Sequence, residues 1–168
     1  MARKVLMLSA LFALIIGVLY YLGNQPSPVN EAPDVALPLQ SYHLPTRLSG
    51  FRGKVVLLDF WATWCQPCRL SIPEIARLYD KYKDRGLVVI GVSVDTDPSG
   101  VPATERMLGM HYPVIFESDA PEVGAAYPHN NGIPTMYLID KHGNLSWHQD
   151  GYTGQENLEE KVTQLLND

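Results

Sequence analysis

VVLLDFWATWCQPCR, residues 55–69, joins a short apolar run to two cysteines three positions apart. Val55–Phe60 is a short, largely apolar run that opens on two β-branched valines, the pattern of a strand buried on both faces. From Cys68 to Arg85, Ile72, Ile75, Ala76, Tyr79 and Tyr82 recur at helical spacing, and Gly86 supplies a stop. Pro73 lies inside this helix and should kink it. The cysteine pair therefore falls where a buried strand passes into a helix.

That placement has chemical consequences. Cysteines at i and i+3 in a first helical turn come close enough to form a disulfide. Free N–H groups and the positive end of the helix dipole stabilise a thiolate there and lower its pKa. Pro67 suits a first-turn position. Cys65 is expected to be the exposed nucleophile, and Cys68, one turn in, the shielded resolving thiol. Half a zinc site would need a second ligand pair. No other cysteine exists, and His43, His111, His129, His142 and His148 lack ligand spacing. An inert structural disulfide closing so short a loop would stabilise little.

Asp59 interrupts the Val, Leu and Phe of the strand, where an unpaired carboxylate is costly and burial raises its pKa. Near the shielded sulfur, through a water if need be, it would take and return the Cys68 proton as a general base. The alternative is a surface aspartate on an edge strand.

Outward from this centre, Leu87–Val94 reads as a second buried strand and Asp97–Gly100 as a turn, with Pro102 in the first turn of the next helix. Val114–Glu117 is a short strand and Glu122–Tyr127 a short helix. Thr135–Asp140 and Leu145–Gln149 are strands joined by Lys141-His142-Gly143-Asn144, a hairpin signal, and Gln155–Leu166 is a closing amphipathic helix. The order β-α-β-α-β-α-β-β-α predicts a three-layer α/β/α sandwich with a mixed central sheet. Met107 and Met110, at helix spacing, are expected in the core.

Val5–Gly23 (VLMLSALFALIIGVLYYLG) holds no charge and no proline, and as a helix it would match a bilayer's hydrocarbon core. Tyr20 and Tyr21 suit the lipid interface, and Arg3 and Lys4 ahead of the run keep the N-terminus cytoplasmic. The run exceeds a signal peptide's apolar region, and no cleavage signal follows it. Residues 1–23 are therefore expected to form an uncleaved anchor, with the domain on the periplasmic or extracytoplasmic side. Asn24–Pro33 (NQPSPVNEAP), with its three prolines, reads as a semi-extended tether rather than a packed element, leaving 34–168 as one domain. The chain carries 13 Lys and Arg against 18 Asp and Glu, for a net charge of −5. Since Arg3 and Lys4 precede the apolar run, the domain is more acidic still. It has no basic cluster, so nucleic acid is not an expected partner.

LLDFWATWCQPCR followed by Pro73 resembles thioredoxin, and the longer LSGFRGKVVLLDFWATWC resembles the TlpA/ResA-like branch of that superfamily. The resemblance spans about Asp34 to Leu166. It implies a thioredoxin-like fold and thiol–disulfide exchange with disulfide-bearing protein substrates, often in cytochrome c maturation. It implies no cofactor beyond the redox-active Cys65–Cys68 pair. Gly132-Ile133-Pro134-Thr135 matches the family's cis-proline loop, which would set the Ile133 backbone beside the cysteines to pair with an extended substrate segment. Trp61 and Trp64 match aromatics around the family's site, with Trp64 helping to shape the docking surface. Gln66 and Pro67 hold the positions that tune redox potential in the family. Two departures stand out: Ser71 replaces the glutamate common in ResA-like proteins, and Asp59 replaces their strand asparagine. Gly91 falls about where thioredoxin has a lysine partner for that acid, and Glu74 reads as a solvated helix residue.

An uncharged Gln66-Pro67 pair and a nearby acid point to a reductant rather than an oxidant. A reductant outside the membrane needs a transmembrane thiol electron donor, and the chain is expected to act as a monomer. The competing readings are a tethered copper chaperone using both thiols, a peroxidase, a disulfide oxidase or isomerase, and a non-catalytic binding domain.

Overall fold

The computed structural model describes residues 30–154 and 156–168. The expected anchor, Val5–Gly23, lies outside the described residues, as does most of the expected tether. Among the described residues no helix is long and apolar enough to cross a membrane.

The elements follow in the order read from the sequence: β1 (Val55–Trp61), α1 (Gln66–Tyr82), β2 (Leu87–Ser93), α2 (Val101–Leu108), β3 (Val114–Phe116), α3 (Pro121–Ala126), β4 (Thr135–Ile139), β5 (Leu145–Asp150) and α4 (Glu156–Asn167). Helix α1 starts two residues earlier than its apolar spacing suggested, because Gln66 and Pro67 already form its first turn. It runs on through Pro73, whose missing N–H leaves the Arg69 carbonyl without its usual donor. A short 3-10 turn, Lys83–Arg85, follows, and Gly86 ends it at φ 106°.

The strands form one five-stranded sheet in the order β3-β2-β1-β4-β5. β1 pairs parallel with β2 and β2 parallel with β3, while β4 pairs antiparallel with both β1 and β5. This is the expected mixed sheet, and β1 is a central strand buried along its whole length.

Alternation along β1 sorts its side chains between two cores. Val55, Leu57 and Trp61 join Ile72 and Ile75 of α1 and Val162 of α4 on one face. Val56, Leu58 and Phe60 pack on the other face against Val123 of α3 and against Leu37, Leu39 and Phe51. That second layer is built mainly by irregular chain ahead of β1, where only short 3-10 turns (Gln40–Tyr42 and Leu48–Phe51) are regular.

The described end of the expected tether is packed rather than free: Glu31 bridges to Asn144, the Ala32 N–H donates to the Gly143 carbonyl at 3.0 Å, and the Leu145 N–H donates to Asn30 O at 2.8 Å. Arg52 pairs with Glu31 at 2.8 Å, and Ala32 is buried. Polar, proline-rich composition reads as linker because its pairing partners lie on the distant β4–β5 hairpin. No local pattern exposes them.

Candidate active site

Cys65 and Cys68 are joined in a disulfide, with Cα atoms 5.3 Å apart. Cys65 is the N-cap of α1: its backbone is extended (φ −80°, ψ 104°), and its sulfur accepts the Cys68 N–H at 3.2 Å. A sulfur thus fills the place of the oxygen that usually caps a helix start. Cys68 is fully buried, and Cys65 is only 4% exposed, so the expected exposed thiol is instead recessed. Its neighbours cause this. Trp64 stands out at 68% exposure, Gln66 and Pro67 are exposed on the first turn, and the Ile133 carbonyl lies 3.6 Å from Cys65 Sγ. The Ile133–Pro134 bond is cis, and the Cys65–Ile133 contact sets the motif matched in sequence beside the cysteines. Cys65 remains the more accessible sulfur of the two.

Trp61 is wholly buried and serves packing. Asp59, two residues before it, points to the same face of β1, toward the layer in which α1 buries Cys68. It is fully buried on a central strand, which removes the edge-strand alternative. Its register neighbours are Gly91 on β2 and Met136 on β4, so no lysine stands opposite it. A Cβ on Gly91 would come within 3.0 Å of Trp61 Nε1 and 3.2 Å of Val114, which leaves no room for a larger partner there. Neither Asp59 oxygen has a hydrogen-bond partner among the described residues. Burial pushes its carboxyl up to about 7. The acid therefore exchanges protons near neutrality, where a thiol must be deprotonated and reprotonated.

Arg69 is the cation closest in sequence to the pair, and its guanidinium is turned to other work. Nη1 donates to the Thr63 carbonyl at 3.1 Å and Nη2 contacts the Met107 sulfur at 3.5 Å. Met107 is on the surface, contrary to the expectation of a core position, whereas Met110 is buried as expected. Glu74 is not simply solvated, since the Tyr152 hydroxyl donates to it at 2.9 Å. Ser71 is buried and donates to the Cys68 carbonyl at 3.2 Å.

Sequence reading missed Asp95. Its carboxylate accepts the Thr63 N–H at 3.0 Å, the Thr63 hydroxyl at 2.6 Å and the Ser93 hydroxyl at 2.9 Å. Together with the Val94 N–H bonded to the Trp61 carbonyl, it fixes the loop that delivers Cys65 to the helix start. Its one sequence signal was an acid at the end of an apolar strand. Among the described residues no group of three or more His, Cys, Asp or Glu could hold a metal ion.

Asp59 makes stability pH-dependent in a defined direction. Its folded value, about 7, lies above the ordinary 3.8, so folding favours the protonated acid. The part of its burial cost that comes from ionisation is absent well below pH 4, grows as pH rises toward 7, and then levels off. The interval corresponds to about 4 kcal/mol at most. Asp59→Asn should therefore match the parent at pH 4 and exceed it by up to about 4 kcal/mol at pH 8, read from urea midpoints of the oxidised protein. A gain equal at both pH values would show that the charge is not its source.

The sequence profile of the AhpC/TSA family matches residues 28–148. The chain is 33% identical over 137 residues to the thiol-disulfide oxidoreductase ResA of Geobacillus kaustophilus, covering 81% of this chain and 76% of that protein. It is 37% identical over 131 residues to protein DipZ of Mycobacterium tuberculosis, covering 74% of this chain but 18% of DipZ. Among solved structures, a thiol:disulfide interchange protein of the thioredoxin family from Chlorobium tepidum superposes with a TM-score of 0.71 at 26% identity, over 84% of this chain and 99% of that one. The resemblance carried by the WATWCQPC motif thus extends along the whole domain, and the chain belongs to the AhpC/TSA family of thioredoxin-like proteins as a ResA-like thiol–disulfide oxidoreductase.

Proposed function

We propose that this chain is an extracytoplasmic, membrane-tethered reductant of disulfides in protein substrates. The observation that carries the reading is a recessed CxxC disulfide beside a buried acid, Asp59, that has no hydrogen-bond partner among the described residues, while Arg69, the cation closest in sequence, is bonded to the Thr63 carbonyl.

In this reading the reduced Cys65 thiolate attacks one sulfur of a partner disulfide, and the other partner sulfur leaves as a thiolate. Trp64, Gln66, Pro67 and the Ile133–Pro134 backbone form the docking surface around that mixed disulfide. Asp59 then takes the Cys68 proton, through a bridging water where needed. The Cys68 thiolate attacks Cys65 Sγ, releasing the second partner thiol and forming Cys65–Cys68. That order is supported by burial, since Cys68 is wholly buried and Cys65 is the more accessible sulfur. Replacing Cys68 by Ser should accumulate partners bound through Cys65, recoverable by reduction and identifiable by mass spectrometry. If cytochrome c maturation is the pathway, CxxCH-bearing apoproteins should be among them. More trapping by Cys65→Ser would reverse the two roles.

Direction follows from what stabilises each redox state. A strongly oxidising disulfide needs a heavily stabilised thiolate, and such proteins lie near −120 mV, against about −270 mV for thioredoxin. Here the thiolate gains the helix start and the Cys68 N–H. Gln66 and Pro67 bring it no charge, the Arg69 guanidinium is engaged by the Thr63 carbonyl and Met107, and an ionised Asp59 opposes it. The potential should lie nearer the thioredoxin end, as measured by equilibration with glutathione buffers. A value above roughly −170 mV would favour an oxidase or isomerase instead.

A reductant outside the membrane has to be recharged, so we assign it a transmembrane thiol electron donor as second partner. The charged start and uninterrupted apolar run of residues 1–23 support an anchor that holds it near such a donor. A C-terminal reporter active only outside the cytoplasm should work in this chain, and one active only inside should not.

A further inference from the structure

The loop that presents Ile133 to Cys65 is strapped to the end of β5 by one carboxylate. Asp150 is the last residue of β5 and pairs in register with Thr135, the first residue of β4. Its Oδ2 accepts the Asn131 side-chain amide at 2.6 Å. Its Oδ1 lies 3.0 Å from His148 Nε2 and 3.2 Å from the Thr135 hydroxyl. The same hydroxyl is 2.6 Å from the Gly132 carbonyl, and its single proton can go to either acceptor. The next residue closes the strap, because the Gly151 N–H donates to the Pro134 carbonyl at 2.7 Å. Both sides of Ile133 are thus tied to Asp150 and Gly151, while the Ile133 carbonyl itself faces Cys65 Sγ.

The support has support of its own. The His148 ring stacks on Tyr137 with centroids 4.4 Å apart, which aims Nε2 at Asp150. The Tyr137 hydroxyl donates to the Pro128 carbonyl and so ties down the start of the same loop. The Asn131 amide first, with His148 and Thr135 adding to it, holds the Asp150 carboxyl below the usual carboxylate range, so the strap keeps its charge at neutral pH.

We infer that Asp150 is a positioning residue for substrate recognition: its carboxylate presets the 131–135 loop so that the Ile133 backbone is already aligned for an extended, disulfide-bearing peptide segment. This rests on the docking reading given for Ile133 above. The strap acts before chemistry. It lowers the ordering cost of binding peptide substrates and leaves sulfur exchange itself untouched. A small disulfide that cannot pair with backbone should not sense it.

The test uses the pre-reduced full-length chain in detergent, oxidised by increasing concentrations of either insulin or bis(2-hydroxyethyl) disulfide. Amide exchange at Gly132 and Gly151 is followed alongside. In Asp150→Ala, both amides should exchange faster, and half-saturation by insulin should rise roughly tenfold, the worth of one charge-assisted hydrogen bond. The maximal rate and the rate with the small disulfide should stay as in the parent. Asp150→Asn, which keeps an acceptor for Asn131 but not the charge, should restore part of the loss. Asn131→Ala, which removes the 2.6 Å contact from an exposed loop residue, should reproduce the insulin effect should Asp150→Ala fail to fold. Unchanged exchange in every variant would overturn the strap. Equal losses with both disulfides would show a merely structural role and overturn the inference. Faster exchange with unchanged half-saturation would overturn both the inference and the docking role of Ile133.

Discussion

The first turn of α1 has backbone N–H groups that no helical carbonyl can reach, and Cys65 Sγ takes one of them, from Cys68, at 3.2 Å. This single contact serves the helix and the chemistry together. It caps the helix start, and it places a donor on the sulfur where a thiolate must carry charge. Because the cap is the reacting atom, its position depends on everything that fixes the strand-to-helix passage. Central strand β1 anchors one side, and Asp95 pins Thr63 in the intervening loop. Arg69 reaches back to the Thr63 carbonyl from within the helix.

Three acids around this point do different work because their surroundings differ. Asp59 is buried with no hydrogen-bond partner among the described residues, and burial pushes its carboxyl up to about 7. Asp95 is nearly as buried but is surrounded by Thr63 and Ser93 donors, and it acts as a brace. Asp150 sits at a strand end among Asn131, Thr135 and His148 and holds a loop. The residue type is the same in all three. Hydrogen-bond supply decides whether the buried carboxyl fastens a loop or is left without a partner.

How legible each feature was depended on its range along the chain. Val55–Phe60 shows its burial because every residue in it but Asp59 is apolar, and the i, i+3 cysteines show their pairing because a helical turn brings them together. Residues 30–33 did not show theirs, since Gly143 and Leu145 complete them from the far hairpin. The layer formed by Leu37, Leu39 and Phe51 has no helical or strand period to announce it, only turns closed by tertiary packing. Met107 misled for a related reason. Its spacing matched a core face, but α2 turns that position outward beside Arg69.

By itself the sequence determined the element order, the strand-to-helix setting of the CxxC pair, the matched Ile133–Pro134 loop and the presence of an acid in the strand, because each is written in residues close together. Only the tertiary structure decided that Asp59 is fully buried opposite Gly91, that Cys65 is recessed, that Arg69 is bonded to the Thr63 carbonyl, and that Asp95 and Asp150 brace the two loops meeting at Cys65. These depend on which side chains from separate elements share one volume. Burial and hydrogen-bond partners are set there and not by any local pattern of residues.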